Sequence, residues 1–166
     1  MLGAQAISER LRRQDLDFAI TPILSPDQIK GSSVDLRLGP DLIVTKRETG
    51  ALAFDPARSE EMRERLGDYQ TYVRRPLGSS FYLHPGDFAI ARSLEYVTLP
   101  ASLSGQATGR SSWGRLGLVI ATATLIQPKF RGTITLELAN IGTVPLVLHV
   151  GVRIAQLTLD EVVEYD

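Results

Sequence analysis

Apolar and polar residues alternate along much of this chain with the period of two that marks half-buried strands. Val34-Asp35-Leu36-Arg37-Leu38 is a clear case, and Leu42-Ile43-Val44-Thr45 reads as its hairpin partner. From Phe81 onward short runs of β type recur, split by Pro85-Gly86, Pro100, Gly105, Gly117, Pro128, Gly132, Gly142, Pro145 and Gly151. That punctuation predicts an all-β barrel or jelly roll. A helical pattern stands at the start: over residues 3–14, Ala6, Ile7 and Leu11 share one face, with Glu9, Arg10, Arg12 and Arg13 opposite. Residues 46–80 interrupt the alternation. Charge dominates around Ser59-Glu60-Glu61-Met62-Arg63-Glu64-Arg65, so this region reads as an exposed loop with one helical turn at 58–66.

Length and composition narrow the picture. A chain of 166 residues makes one domain with a core, here taken as residues 1–166, and is too short for two. A net charge of −1 supplies no field that would draw the chain to nucleic acid or to a membrane surface. Any anionic ligand must therefore be held by a local arrangement of arginines and backbone N–H groups. No apolar run is long enough to span a bilayer and no signal peptide is visible, so the expected setting is the cytoplasm. The chain has no cysteine and two histidines, His84 and His149. This excludes a cysteine nucleophile and a zinc site with a Cys/His shell, and with it the zinc-dependent deaminase mechanism.

Candidate chemistry concentrates in Gly109-Arg110-Ser111-Ser112-Trp113-Gly114-Arg115-Leu116-Gly117-Leu118. Two guanidinium groups and two hydroxyls in a glycine-bracketed turn suit a phosphate-bearing ligand. Downstream, Glu137 is a lone acid in the strand pattern Thr133-Ile134-Thr135-Leu136-Glu137-Leu138, a candidate acid–base group. Other polar residues read more plainly. His84 precedes Pro85-Gly86 and suits a structural hydrogen bond in a turn, while His149 lies on a strand at a surface or subunit contact. Trp113 reads as packing. Asp35 is placed either near the site or in an ion pair with Arg37 or another arginine.

Four blocks together resemble the dCTP deaminase branch of the trimeric dUTPase-like superfamily. They are Gly31 to Gly39, Phe81 to Asp87, Gly109 to Leu118, and Gly132 to Gly142. A fifth, Gly151-Val152-Arg153-Ile154-Ala155-Gln156-Leu157, is similar to the phosphate-binding strand of the dUTPases. The N-terminal helix and Tyr96-Val97-Thr98-Leu99-Pro100 fit as well, so the resemblance spans nearly the whole chain.

The resemblance implies a distorted jelly-roll (β-clip) barrel that assembles as a homotrimer, with active sites between subunits. It implies that Arg110, Ser111 and Ser112 hold the triphosphate and help to fix the base. Arg115 orients the pocket, Glu137 is the catalytic acid–base residue, Ser111 is a neutral donor to the base, and Gln156 faces the phosphates. Mg²⁺ would arrive with the triphosphate rather than at a protein metal site, with no zinc. The implied reaction is hydrolytic deamination of dCTP to dUTP and ammonia, within pyrimidine deoxynucleotide metabolism.

At Gln127 the family usually carries an aspartate. An amide hydrogen-bonds a sugar hydroxyl but cannot act as a base, which argues against a dUTP or dCTP diphosphatase. A catalytically silent deoxynucleotide-binding protein of the same fold is the alternative expectation. Gln127 and the want of a family-type tail after Asp166 favour it, while the Arg110-Ser111-Ser112, Arg115 and Glu137 set favours the enzyme.

Overall fold

The structure, a computed structural model, describes residues 1–13, 17–46, 57, 59–121 and 125–163. Helix α1 (Ala4–Arg12) is slightly shorter than the periodicity suggests and seats Ile7, fully buried, in the core. The chain is otherwise dominated by strands, and every pairing among the described residues is antiparallel. A curled sheet runs in the order β8 (Leu118–Ala121), β10 (Arg131–Asn140), β6 (Phe88–Thr98), β3 (Ser33–Thr45), β12 (Arg153–Glu161), β7 (Leu103–Gly109) and β9 (Leu125–Ile126). Strands β1 (Ala19–Thr21), β2 (Ile29–Lys30) and β4 (Gln70–Arg74) attach to its flanks, and β5 (Ser80–Leu83) pairs separately with β11 (Leu146–His149). This is the β-rich, jelly-roll-like architecture expected from the alternating pattern.

Alternation sorts side chains between the two faces. Leu36, Leu38, Leu42, Ala89, Ala91, Leu136, Leu138, Ile154 and Leu157 point inward and are buried. On β10, β6 and β3 the outer face carries Thr135, Glu137, Ile90, Arg92, Ile43 and Asp41, aligned by the register Glu137↔Ile90↔Ile43 and Thr135↔Arg92. Among the described residues, no helix is long and apolar enough to cross a membrane.

Two expectations need correction. Leu42–Thr45 is not the hairpin partner of Val34–Leu38, because both lie on the continuous strand β3. The first half of that strand pairs with β12 and the second half with β6 and β4, so β3 passes from one part of the curled sheet to the other. Gly39 marks the crossing. A Cβ there would lie 2.6 Å from the Arg92 carbonyl oxygen and 3.0 Å from that of Ser93, so glycine serves a close backbone approach rather than a turn. Gly39→Ala is expected to destabilise the fold by about 1–3 kcal/mol, because the obstructing atoms are backbone and cannot rotate away. Urea denaturation would show this as a lower midpoint, and an unchanged midpoint would mean that the strands part at little cost.

The second correction concerns residues 46–80, of which 47–56 and 58 lie outside the described residues. The remainder holds helix α2 (Ser59–Tyr69) and strand β4, not a loop with one helical turn. β4 lies along β3 with Asp41↔Arg74 and Val44↔Thr71. Its residues are mostly exposed, so the backbone ladder to β3 recruits it rather than an apolar face.

Candidate functional site

Glu137 sits in mid-β10, half-buried, between Ile90 on β6 and Ala121 on β8. It lines a cavity of about 190 Å³ together with Leu125, Ile126, Phe130, Thr133 and Thr135. The wall is largely apolar, with two hydroxyls beside the carboxylate. That setting suits the face of a flat heterocycle, with an acid at its edge to exchange protons. The volume falls below the roughly 300–1,000 Å³ of a complete small-molecule pocket. Gln127 follows β9 at the cavity's margin. Its side chain is exposed, and its backbone carbonyl accepts the Phe130 N–H at 3.2 Å, which closes the turn that brings Phe130 to the wall.

The arginine–serine turn stands elsewhere on the molecule. Arg110 leaves β7 and is followed by the single-turn helix α3 (Ser111–Gly114), with Ser111, Ser112 and Arg115 all exposed. The Arg110 N–H donates to the Ile154 carbonyl at 3.1 Å, and the Trp113 indole N–H donates to the Arg153 carbonyl at 3.0 Å. Trp113 is thus more than packing, since it bolts the turn to the start of β12. The turn closes at Gly117, whose φ of +92° favours glycine. A Cβ at Gly117 would also lie 2.7 Å from both the N and Cα of Gly142.

Asp35 holds the turn from below. Its Oδ2 lies 3.6 Å from Arg110 Nη1 and 3.4 Å from Arg153 Nη1, while Gln156 stands across the ladder from it. The structure therefore joins Arg110, Asp35 and Gln156, with Ser111 and Ser112 next in the chain. It does not join them to Glu137. Among the described residues no hydrogen bond or ion pair links Glu137 with Arg115 or Ser111. The turn packs at the Leu118 end of β8, three residues along the β8–β10 ladder from the Ala121–Glu137 pair, about 10 Å at the usual strand rise.

Arg37 is not the partner of Asp35. It is buried against Glu95, with Nε 2.6 Å from Oε1 and its backbone N–H 2.8 Å from Oε2. The Gln28 side-chain amide donates at 2.9 Å both to Glu95 Oε1 and to the Asp35 carbonyl. Arg37 Nη2 caps the Pro22 carbonyl at 2.7 Å. Sequence reading missed this cluster. It left no trace in the sequence, because Arg37 alternates with Leu36 and Leu38 as a solvent-facing strand residue would.

Asn140 was missed as well. It is buried and donates to the carbonyls of Leu83 and Val144, each at 2.9 Å, and accepts the Gly142 N–H at 2.9 Å. The Ile141 N–H donates to the Gly117 carbonyl at 2.9 Å, so the end of β10 is tied to the end of the arginine–serine turn. The His84 backbone N–H donates to Asp87 Oδ2 at 2.9 Å within a turn, and His149 is exposed on β11.

A larger groove of about 440 Å³ lies on the same sheet face, lined by Asp41, Ile43, Tyr72, Arg74, Arg92 and Thr135 among others. None of the predicted site residues lines it. The Tyr72 hydroxyl donates to Asp41, which pushes the phenol above its ordinary pKa.

Comparison with known proteins places this geometry in a family. A family model described as dCTP deaminase-like matches residues 1–162. A Halorubrum lacusprofundi protein named dCTP deaminase is 42% identical over 163 residues, covering 97% of this chain and 77% of that protein. A Methanobrevibacter smithii protein named dCTP deaminase, dUMP-forming, is 37% identical over 161 residues, covering 96% and 79%. The crystal structure of 2'-deoxycytidine 5'-triphosphate deaminase from Agrobacterium tumefaciens superposes with a TM-score of 0.70 at 25% identity. That match covers 95% of this chain and 45% of the Agrobacterium chain.

Proposed function

Because the chain belongs to the dCTP deaminase-like family, we propose that it hydrolyses dCTP to dUTP and ammonia, with Glu137 as the acid–base residue. The observation that carries the assignment of Glu137 is its place in a small, mainly apolar cavity with Thr133 and Thr135 beside it.

The chemistry needs one group that takes a proton and returns it. Water attacks C4 of the cytosine, forming the C4–O bond, and the Glu137 carboxylate takes a proton from that water and passes it to N3. Glu137 then carries the remaining proton of the new C4 hydroxyl to the exocyclic amine. The C4–N bond breaks, ammonia leaves, and C4 becomes the carbonyl of uracil. A positioned general acid–base of this kind contributes roughly 10²–10⁴-fold. The hydroxyl of Ser111 donates to the charge that develops on the base.

Arg110, Ser111, Ser112 and Gln156 bind the triphosphate, and Arg115 orients the pocket. No hydrogen bond or ion pair among the described residues joins that group to Glu137, and the Glu137 cavity is smaller than a complete pocket; both support a site completed between copies. Three copies share three sites, each taking Glu137 from one chain and the arginine–serine turn from its neighbour. Mg²⁺ fits only as a companion of the substrate. The donors at the triphosphate end are guanidinium, hydroxyl and amide groups, and Asp35, the carboxylate among them, already faces two arginines. Bound there, the ion would neutralise phosphate charge. The setting is cytoplasmic pyrimidine deoxynucleotide metabolism.

Incubation with dCTP and Mg²⁺, with products separated by chromatography, tests the proposal. Ammonia and dUTP in equal amounts are expected. A second product pattern is favoured by the relatives named as dUMP-forming: dUMP and pyrophosphate alongside ammonia, which would show that Gln127 permits a second hydrolysis. Raised thermal stability with dCTP but no product would instead identify a silent nucleotide binder.

A further inference from the structure

The reaction proposed above makes no use of the groove of about 440 Å³, whose size lies within the roughly 300–1,000 Å³ of a complete small-molecule pocket. Two neighbouring rows of side chains on one sheet face build it, across β4, β3, β6 and β10. Tyr72, Ile43 and Ile90 form the first row, which leads to Glu137 through the pairings Tyr72↔Ile43, Ile43↔Ile90 and Ile90↔Glu137. Arg74, Asp41, Arg92 and Thr135 form the second, with the pairings Arg74↔Asp41 and Arg92↔Thr135. Thr135 lines both the groove and the Glu137 cavity, so the two adjoin.

Charge in the second row is unbalanced. Asp41 Oδ1 accepts from the Tyr72 hydroxyl and lies 3.4 Å from Arg74 Nη1. Arg92 is exposed and, among the described residues, has no hydrogen bond or ion pair. Two guanidiniums against one carboxylate leave the groove a charge of +1. The N–H donors of Arg92 are all available to an oxyanion. The first row supplies a different chemistry. Ile43 and Ile90 make an apolar floor, and the Tyr72 ring at its end is 60% exposed. A ring so exposed packs nothing in the core, but it offers a face on which another ring can stack.

We propose that this groove is a second binding site, separate from the catalytic cavity, for a nucleoside monophosphate. The flat base lies against Ile43, Ile90 and the Tyr72 ring, while Arg92 and Arg74 take the phosphate. Charge selects the monophosphate. One phosphoryl group carries about −1.5 to −2 at neutral pH, which the two guanidiniums balance, whereas a triphosphate needs more cations than line the groove. Strand β4 gains a purpose that its mostly exposed residues do not otherwise explain, since it brings Tyr72 and Arg74 to the site. The proposal goes beyond dCTP turnover, in which Tyr72, Arg74 and Arg92 take no part.

Calorimetric titration with dUMP as the probe tests this. Arg92→Gln is expected to weaken dUMP about tenfold or more by loss of a charge-assisted contact. Arg92 is exposed and unpaired among the described residues, so the variant keeps the fold, and its kcat and KM for dCTP should stay within about twofold. Tyr72→Ala should weaken dUMP about threefold or more through the lost ring contact. Deoxyuridine, which lacks the phosphate, should bind about tenfold more weakly than dUMP or worse. Glu137→Gln saturated with dCTP should still take up dUMP. Wild-type dUMP affinity in Arg92→Gln would overturn the proposal, as would deoxyuridine binding as tightly as dUMP. So would displacement of dUMP by dCTP, or a KM for dCTP that rises in step with the dUMP dissociation constant, because either puts dUMP in the substrate's own site. A wild type that binds dUMP through Arg92 yet leaves dCTP unchanged would refute the deaminase reading and leave this one standing.

Discussion

Glu137→Gln is expected to lower kcat for dCTP by 10²–10⁴-fold or more while leaving the dissociation constant for dCTP within about threefold. The amide matches the carboxylate in shape, so it fills the same half-buried position between Ile90 and Ala121 and keeps the cavity wall. It cannot take the proton of the attacking water. The step then loses its acid–base contribution, about 3–5 kcal/mol of barrier. The residues proposed to hold the phosphates lie beyond the Leu118 end of the β8–β10 ladder, away from Glu137, which is why binding should survive. Calorimetric titration of dCTP beside single-turnover kinetics separates the two effects. Turnover near that of the wild type would remove Glu137 from the mechanism. Parallel loss of binding and turnover would make it a structural residue of β10.

The second large effect is on stability. Glu95→Gln should destabilise the fold by about 3–5 kcal/mol. Glu95 is fully buried and accepts three N–H groups: the Arg37 backbone, the Arg37 guanidinium and the Gln28 amide. Removing its charge strands a guanidinium that is itself only 8% exposed. The new amide also presents a donor where three donors already converge. The double variant Arg37→Met, Glu95→Leu should recover much of the loss, because replacing a buried pair by apolar groups of similar size is far less costly than breaking it. Urea unfolding of the two variants decides the matter. If Glu95→Gln unfolds at the wild-type midpoint, the buried pair contributes little. If the double variant is as unstable as the single one, the loss belongs to the Pro22, Gln28 and Asp35 contacts instead.

How far the sequence could be read depended on whether a residue's role was local. The strand alternation of Val34–Leu38 and Thr133–Leu138 needs only neighbours two positions apart, and the β-rich fold followed from it. The Arg110–Gly117 turn carries its own punctuation and was visible as a unit. The continuity of β3 was not visible, because Gly39 looks like a turn glycine until the Arg92 and Ser93 carbonyls are placed beside it. β4 has no apolar signature of its own, and the free backbone edge of β3 makes it a strand. Nothing in the sequence around Glu95 singles it out from any other charged residue in a strand pattern. Only the arrival of Arg37 and Gln28 from distant segments gives Glu95 a reason to be buried. Likewise Arg153 lay inside a recognised block, but its convergence with Arg110 on Asp35 is a property of three strands meeting.

The placement of β12 has a consequence for how the molecule is made. Gln156 pairs with Asp35 across 121 positions of sequence and with Thr108 on its other side. On a ribosome, the first half of β3 is therefore synthesised more than a hundred residues before the strand that completes it. Until then β3 and β7 each present an unpaired edge of the kind that invites association between nascent chains. Sheets assembled from such distant partners fold slowly. The row of Asp35, Arg110, Arg153 and Gln156 comes together only when β12 takes its place between β3 and β7. A chain stalled before residue 153 would carry Glu137 and the arginine–serine turn but lack the β12 carbonyls to which Arg110 and Trp113 are tied.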